Sequence, residues 1–474
     1  MDSKVKKNYI YQVVYQVINL LLSFLLSPYI ARVLGPKGVG EYTYSYQIAY
    51  YFVLFSMLGL LNYGSRQIAQ VRDDRKEMDY TFSSLYYFHL LLSVICTVFY
   101  FLFVKLKSGS QVFAYIQLLY VFSSCFDISW FYFGIEDFRT TVLASGIARI
   151  LSCIGVFTLV KTPADTWLYC VFMAGGTLLS QLFLWLPLHK RVSFVKVEWK
   201  SIFVHFKPML VLFIPAIAVS LYKSMDKIML GAMAGSSQLG FYENAERFNN
   251  IPIVFITSLG TVMLPRMSNL AKNESDKMFG YIDRSMSFVL FFSNAFAFGM
   301  ALISHVFAIV FWGSAFEESG RLISYLAITI PFIAFANVLR TQYLIPLHMD
   351  KIYLLSVLSG AIVNLTINWL LIPRQGAMGA VIGTIVAEIV VCVFQTIALW
   401  KELPIIIFMK RSIRYILSGV IMLISGWFIC RNMKINIWTL LFEIAFGAIV
   451  YLVVNIIWAK MKNEPIDLFK LLHK

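Results

Sequence analysis

The amino-acid sequence predicts an all-α polytopic membrane protein with fourteen transmembrane helices. Of its 474 residues, 59% are hydrophobic and only 14% are charged, and the mean hydropathy is +0.74. A typical soluble domain is about 45–50% apolar and about 25% charged, so this chain has too few polar residues to cover a water-facing surface. The apolar residues also fall into segments that match the ~20 residues of a bilayer-spanning helix.

Fourteen such segments follow one another, with short loops between them. They begin near Tyr9, Tyr42, Tyr80, Gln111, Thr140, Asp165, Pro208, Gly240, Ser285, Arg321, Lys351, Gly376, Ser412 and Ile437. This spacing leaves little room for a globular domain outside the membrane. The first segment runs to Leu34, well beyond the ~7–15-residue core of a signal peptide, so we expect it to be a retained helix.

The distribution of basic residues predicts the orientation of these spans. The net charge is +15, from 40 Lys and Arg against 25 Asp and Glu. If the N-terminus is cytoplasmic and the spans alternate, most Lys and Arg residues fall on the cytoplasmic side, as the positive-inside rule requires. The basic excess therefore indicates membrane topology rather than nucleic-acid binding, and we expect both termini in the cytoplasm.

A basic loop at residues 191–207 divides the first six spans from the next six. It carries Trp199 and Phe203 beside several lysines, which predicts either a short interfacial segment or a plain linker. The predicted domains are an N-lobe, the cytoplasmic interlobe linker, a C-lobe, and spans thirteen and fourteen with a cytoplasmic tail, at residues 1–190, 191–207, 208–400 and 401–474.

A weak internal repeat relates the two halves. Gly40, Tyr42 and Arg66 in the first half recur in the second half as Gly240, Tyr242 and Arg266. Because each half has an even number of spans, both halves have the same orientation and the repeat should be parallel.

Composition and motifs argue against an enzyme. The outer loops are short, and no nucleotide-binding loop or nucleophile motif occurs, so we predict no catalytic residue and no cofactor. The cysteines form no CxxC pair, and we expect buried small side chains, with no disulfide framework and no metal site. They are Cys96, Cys125, Cys153, Cys170, Cys392 and Cys430.

Ionisable residues inside the spans are the candidate functional groups, because a charge in lipid costs several kcal/mol unless it pairs or reaches water. Two sets have a spacing of three or four and so lie on one helix face each. They are Lys223, Asp226 and Lys227 in span seven, and Glu243, Glu246 and Arg247 in span eight. They predict either a polar cavity with ion pairs or structural salt bridges near the outer water boundary.

Four more intramembrane charges complete the set: Arg32 at the end of span one, Asp127, Arg149 and Glu388. Arginine grips anionic groups in a bidentate manner, so Arg32 and Arg149 suit an anionic substrate. Glu388 is a candidate for proton or cation coupling, or for a hydrogen bond between helices.

Three motifs in the first half resemble those of a known family. They are Ser27–Pro36 (SPYIARVLGP), Leu61–Ala69 (LNYGSRQIA) and Phe126–Phe138 (FDISWFYFGIEDF). The chain resembles the Wzx-type polysaccharide repeat-unit flippases of the multidrug/oligosaccharidyl-lipid/polysaccharide exporter superfamily. The resemblance covers nearly the whole chain and extends through the small-residue run Gly376–Gly383.

The resemblance implies a MATE-like fold, with two six-helix lobes and two extra helices, in the bacterial cytoplasmic membrane. It implies export of an undecaprenyl-diphosphate-linked oligosaccharide, followed by polymerisation into capsule, O-antigen or exopolysaccharide. The implied partners are the lipid-linked glycan, the bilayer, and the polysaccharide polymerase and chain-length machinery.

The same resemblance assigns roles to the intramembrane charges. The candidates for the pyrophosphate and sugars are Arg32, Arg66, Arg149, Lys223, Lys227, Arg247 and Arg266. Arg66 and Arg266 are also interpretable as anchors at the inner membrane boundary. Coupling to H⁺ or Na⁺ varies across the superfamily, and the candidate acids here are Asp127, Asp226, Glu246 and Glu388.

Two alternatives share the implied fold. A MATE-type multidrug or cation antiporter would move organic cations, and its cavity should be acidic and aromatic rather than mixed to basic. A peptidoglycan lipid-precursor flippase would use the same carrier lipid with a different glycan, and the sequence separates these two flippases poorly.

Overall fold

The computed structural model describes residues 3–106 and 112–462, and every regular element in those ranges is helical. The chain divides into two compact units, Met1–Ile228 and Met229–Lys474. The cytoplasmic tail predicted after the last helix lies outside the described residues.

Unit 1 contains the first nine helices and most of the tenth. They are α1 (Ser3–Met57), α2 (Leu60–Val71), α3 (Arg75–Leu106), α4 (Val112–Ile116), α5 (Leu118–Ser123), α6 (Ser129–Gly134), α7 (Phe138–Leu159), α8 (Thr166–Trp185), α9 (Trp199–Phe203) and α10 (Phe206–Met233). Within this unit α7 packs along α8, and α1 packs against α3 and α7.

Unit 2 contains eight further helices. They are α11 (Ser236–Asn273), α12 (Ser275–Trp312), α13 (Glu317–Leu326), α14 (Thr329–Leu339), α15 (Asp350–Gln375), α16 (Ala377–Ala398), α17 (Ile405–Cys430) and α18 (Ile437–Lys462). A π-helical turn at Arg340–Leu344 extends α14. The most extensive helix–helix contact in this unit is that of α15 with α16, and α17 and α18 both pack on α12.

The described residues hold eleven helical segments that are long and apolar enough to cross a membrane. A bent pair, Ser314–Leu326 with Thr329–Leu344, turns by 44° at its break and raises the number to twelve if it is one span. The chain is thus a multi-span helical membrane protein, as the composition predicts.

Gly35 interrupts α1 between the first two predicted spans. Its φ is +66°, a left-handed conformation that residues with a Cβ rarely adopt, so glycine permits the break here. A Cβ at the nearby Gly38 would lie 2.7 Å from the Thr166 hydroxyl, so glycine also allows the start of α8 to approach α1 closely. Gly35 thus permits the break in α1, and Gly38 permits the close approach of α8.

The segment 191–207 lies against α3. The backbone N–H of Ser193 donates to Asp79 Oδ1 at 3.0 Å, and that of Val195 donates to Ser83 Oγ at 3.0 Å. On α9, Ile202 is buried, whereas Trp199 is 72% exposed. These contacts hold the segment against α3, within the residues of unit 1.

Candidate functional site

A small polar pocket lies inside unit 1, among helices that are otherwise apolar. It has a volume of about 100 Å³ and is partly enclosed. We call it the tyrosine pocket, and its lining residues are Tyr42, Tyr46, Gln117, Tyr120, Arg149, Met173, Ala174 and Thr177. These residues come from α1, from the junction of α4 and α5, and from α5, α7 and α8.

Tyrosine rings form the aromatic wall of the pocket. Tyr42, Tyr46 and Tyr50 are four residues apart on α1 and so follow one helix face. The ring centroids of Tyr42 and Tyr46 are 5.8 Å apart, and those of Tyr46 and Tyr50 are 6.4 Å apart. Tyr120 stacks on Tyr46 at 5.2 Å. Tyr42, Tyr46, Tyr50 and Tyr120 are each only partly buried, and all but Tyr50 line the pocket.

Arg149 is the cation of the tyrosine pocket. Its Nη2 is 3.4 Å from Ser23 Oγ and its Nη1 is 3.9 Å from Met173 Sδ, both weak contacts for a guanidinium. Its Nε is buried and has no hydrogen-bond partner among the described residues. The side chain therefore has donor capacity left for a ligand.

Gln117 supplies the clearest unsatisfied group in the pocket. The residue is 1% exposed, and neither its Oε1 nor its Nε2 has a hydrogen-bond partner among the described residues. A buried polar group left unpaired costs about 1–3 kcal/mol, and such groups in proteins are normally satisfied by protein, water or ligand. The amide offers one donor face and one acceptor face to whatever occupies the pocket.

The other predicted residues of unit 1 lie outside the tyrosine pocket. Asp127 is half-buried, and its Oδ1 accepts the backbone N–H of Ser129 at 2.9 Å, which shapes the turn before α6. Asp226 is buried, and its Oδ1 accepts the backbone N–H of Lys227 at 2.8 Å. Arg32 is exposed. The side chain of Lys223 lies outside the described residues.

The two arginines of the internal repeat, Arg66 and Arg266, share a second property. Arg66 is exposed, with its guanidinium carbon 5.7 Å from the ring centre of Tyr63. Arg266 is exposed as well, 4.1 Å above the ring of Tyr281, to whose hydroxyl it also donates a hydrogen bond. Each exposed arginine thus lies over a tyrosine of its own unit, and Tyr63 is itself buried.

The charged set of span eight forms an ion pair on α11. Arg247 Nη2 is 2.9 Å from Glu243 Oε1, one helical turn earlier. Glu246 and Glu388 are half-buried. One turn before Glu388 on α16, Thr384 Oγ1 lies 3.1 Å from the Tyr242 hydroxyl, so a hydrogen bond joins α11 to α16 at this level.

Unit 2 also contains a larger, more open recess of about 600 Å³. Its charged lining includes His305, Glu317, Glu318 and Arg321. Arg321 Nη1 is 3.8 Å from Glu318 Oε1, and both side chains are well exposed. Arg321 and Glu318 are therefore solvated and lie close to each other, unlike the donors of the tyrosine pocket.

The structure thus brings one predicted residue, Arg149, into a formed pocket and adds partners that the sequence did not single out. These partners are uncharged, so the high cost of a charge in lipid does not identify them. They are Tyr42, Tyr46, Tyr120, Gln117 and Thr177. One signal was present in the sequence, namely the four-residue spacing of Tyr42, Tyr46 and Tyr50.

A family model described as "Polysaccharide biosynthesis protein" matches residues 5–271, more than half of the chain. The chain belongs to this family. The match confirms the resemblance to polysaccharide flippases that the three first-half motifs indicated.

Two bacterial proteins match most of the chain. A putative O-antigen transporter of Shigella dysenteriae is 25% identical over 402 residues, which cover 82% of this chain and 98% of that protein. The capsular polysaccharide biosynthesis protein CapF of Staphylococcus aureus is 22% identical over 397 residues, covering 81% of this chain and 96% of CapF.

Among solved structures, the lipid II flippase MurJ in an inward closed conformation is similar in fold. Its TM-score is 0.75 at 16% sequence identity, with 96% of this chain and 98% of MurJ covered. At this identity the likeness establishes the fold only. This member of the polysaccharide biosynthesis family therefore has a MurJ-like helical membrane fold.

Proposed function

We propose that this protein is a flippase that moves undecaprenyl-diphosphate-linked oligosaccharide repeat units across the bacterial cytoplasmic membrane. The repeat units would then be polymerised outside into capsule, O-antigen or exopolysaccharide. The similarity to a putative O-antigen transporter and to a capsular polysaccharide biosynthesis protein supports this class of cargo.

The observation that carries the proposal is the tyrosine pocket. Lipid-facing surfaces need no buried amide and no partly unsatisfied guanidinium, yet Gln117 and Arg149 both line one cavity. The cargo has an apolar tail that can stay in hydrocarbon and a polar head that cannot cross it unaided. A polar cavity within the helices provides the environment that the head needs.

Alternating access is the mechanism that fits this cargo. A polar site that opens first to one side and then to the other moves the head group without making or breaking a bond. No catalytic residue or cofactor is needed, in agreement with the transporter names of the relatives.

We further propose fourteen spans in a six-plus-six-plus-two arrangement with both termini cytoplasmic. Eleven to twelve spans are counted directly among the described residues. The break of α1 at Gly35 divides that helix into two lengths that could each cross, and α10 supplies 28 more helical residues. The lobes would then correspond to 1–190 and 208–400, with 401–474 as the addition.

Roles for the charged residues follow from this proposal. Arg149 would contact the polar head, and Arg32, Lys223, Lys227, Arg247, Arg66 and Arg266 remain candidates for further contacts. Any H⁺ or Na⁺ coupling would use an acid among Asp127, Asp226, Glu246 and Glu388. Glu246 and Glu388 are only half-buried, and Asp226 is the most buried of these acids.

A peptidoglycan-precursor flippase is the second candidate, favoured by the MurJ-like fold. It shares the carrier lipid, so only the glycan differs. A MATE-type antiporter of organic cations is a third, and Arg149 in the tyrosine pocket argues against it because a cation there would be repelled.

The test is deletion of the gene in its host, followed by extraction of lipid-linked glycans. Complete repeat units should accumulate on the inner leaflet, surface polysaccharide should fall, and complementation should reverse both changes. Accumulation of the peptidoglycan precursor instead would support the second candidate. Unchanged lipid-linked glycans in a strain that lacks redundant flippases would contradict the proposal.

A further inference from the structure

We propose that the tyrosine pocket, with Tyr50 beyond it, binds the sugar rings of the cargo one at a time, rather than its diphosphate or its lipid tail. This inference rests on the proposed function, because it assigns one part of the proposed cargo to one site.

The aromatic faces are the first reason. A pyranose ring presents C–H groups on its flatter face, and these carry partial positive charge that complements the negative face of an aromatic ring. Tyr46 contacts Tyr42, Tyr50 and Tyr120 within 6.4 Å, centroid to centroid, so one continuous aromatic surface is formed. The three tyrosines on α1 extend it over about 12 Å, at 1.5 Å per helical residue.

The polar lining is the second reason. Sugar hydroxyls are both donors and acceptors, and Gln117 offers both kinds of group from a single buried amide with no partner among the described residues. Thr177 and the tyrosine hydroxyls add groups of the same dual character. A diphosphate has only acceptor oxygens, so the acceptor atom of Gln117 would face it unpaired.

The charge of the pocket is the third reason. Among the lining residues that the structure describes, Arg149 is the single cation and none carries a carboxylate. One guanidinium donates well to neighbouring sugar hydroxyls or to the carboxylate of an acidic sugar. It is a small charge for a diphosphate, which carries at least two negative charges of its own.

The size of the pocket sets the mode of binding. A volume of about 100 Å³ is too small for an oligosaccharide and suits part of one ring at a time. Tyr50 continues the aromatic face past the pocket and contacts Tyr51 at 5.8 Å. A glycan could therefore exchange one ring for the next along α1 while part of it remains stacked.

The test compares two lipids binding to the purified full-length protein in nanodiscs. The first is the undecaprenyl-diphosphate-linked glycan extracted from the deletion strain, and the second is undecaprenyl diphosphate without sugar. The variants are Tyr46→Leu, Tyr46→Phe and Gln117→Leu. Tyr44→Leu is the matched control, since Tyr44 lies on the same helix, is also partly buried and does not line the pocket.

We expect Tyr46→Leu and Gln117→Leu to weaken binding of the glycan-bearing lipid about fivefold to tenfold, with binding of undecaprenyl diphosphate unchanged. Tyr46→Phe keeps the aromatic face and should bind within about twofold of the wild type. The control should bind both lipids normally. Thermal unfolding of every variant reports whether the fold is retained, and Tyr46→Phe keeps the test informative if Tyr46→Leu fails to fold.

Equal weakening for both lipids would overturn the inference in favour of a site for the diphosphate. Normal glycan binding by Tyr46→Leu and Gln117→Leu would show that these side chains only pack, and would overturn the inference alone. If the wild-type protein binds neither lipid, the proposed function fails and the inference fails with it. A loss of glycan binding in Tyr46→Phe equal to that in Tyr46→Leu would exclude stacking.

Discussion

Arg411 on α17 lies beside Asp283 on α12, with Nη1 2.9 Å from Oδ1, and the same guanidinium donates to the Ser287 hydroxyl one turn further along α12. Near the middle of α12, the Tyr451 hydroxyl of α18 donates to the Phe291 carbonyl at 2.8 Å. The last two helices are thus attached to one helix of unit 2 by side-chain hydrogen bonds as well as by apolar packing.

The Arg411–Asp283 pair should contribute modestly to the stability of unit 2. Both side chains are partly exposed, so solvent screening limits the coupling energy to about 0.5–1 kcal/mol. A double-mutant cycle with Arg411→Met and Asp283→Asn, read by thermal unfolding in detergent, measures it. The neighbouring Lys410 is exposed, and Lys410→Met should leave the unfolding midpoint unchanged. Strict additivity of the two single substitutions would show that the pair contributes nothing.

Arg149 should be essential for transport, and its planar guanidinium should matter as well as its charge. We expect Arg149→Gln to lower surface polysaccharide about tenfold or more, because a charge-assisted hydrogen bond is worth about 1.5–3 kcal/mol. Arg149→Lys should recover only part of the loss, since lysine lacks the bidentate fork. Arg139 is exposed at the start of the same helix and serves as the control. Loss of transport in Arg139→Gln equal to that in Arg149→Gln would contradict a pocket-specific role.

We expect Glu443 on α18 to lower the stability of the protein and to have no role in transport. It is 4% exposed, and its Oε2 has no hydrogen-bond partner among the described residues. Glu443→Met removes the unpaired oxygen at similar length, so the protein should gain about 1–3 kcal/mol of stability. Thermal unfolding and surface polysaccharide together check this. A folded Glu443→Met variant that no longer exports polysaccharide would assign the carboxyl a function and contradict the prediction.

His205 joins the segment 191–207 to two helices of unit 1. Its Nδ1 is 3.0 Å from the Tyr63 hydroxyl, and its Nε2 is 2.9 Å from Ser84 Oγ. Ser84 donates its own proton to the Ser201 carbonyl, so it accepts from Nε2–H, while Nδ1 accepts from Tyr63. This arrangement requires the neutral ring. Burial accordingly lowers the pKa of His205 from its ordinary value of 6.5.

The hydrogen bonds of His205 to Tyr63 and Ser84 should therefore weaken in acid. Between the folded and the ordinary pKa the unfolded chain binds more protons, so the stabilisation is complete above about pH 6.5 and is lost as the pH falls below it. Hydrogen exchange of residues 193–205, compared between pH 7.5 and pH 5.5 after correction for intrinsic rates, measures the loss. His205→Asn should remove the pH dependence, and the same pH dependence in that variant would assign it to another group.

The sequence predicted the helical membrane fold well, because the hydropathy of a segment directly indicates whether it lies in lipid or in water. The broken region from Val112 to Gly134 was harder, since α4 and α5 pack on α8 whereas α6 packs on α2, and local sequence does not encode these contacts. Gly35 also shows why helix boundaries are hard to predict from sequence, because one residue of positive φ decides whether α1 is one helix or two.

The tyrosine pocket could be predicted only in part. Arg149 attracted notice because a charge in a span is costly, but its neighbours are polar without charge. Tyr42, Gln117, Arg149 and Thr177 lie far apart in sequence, and only the packing of α1, α7 and α8 brings them together. The four-residue spacing of the tyrosines is a signal that the sequence contains, whereas nothing local indicates that Gln117 has no partner among the described residues.

The six cysteines are all free and all buried. A thiol must ionise and meet its reagent to react, so burial protects each of them from water-soluble maleimides. We therefore expect the native cysteines to react little with such a reagent, so that they need not be removed before site-directed labelling. A single cysteine introduced into any loop would report, by its reaction with a membrane-impermeant maleimide added to intact cells, on which side of the membrane that loop lies.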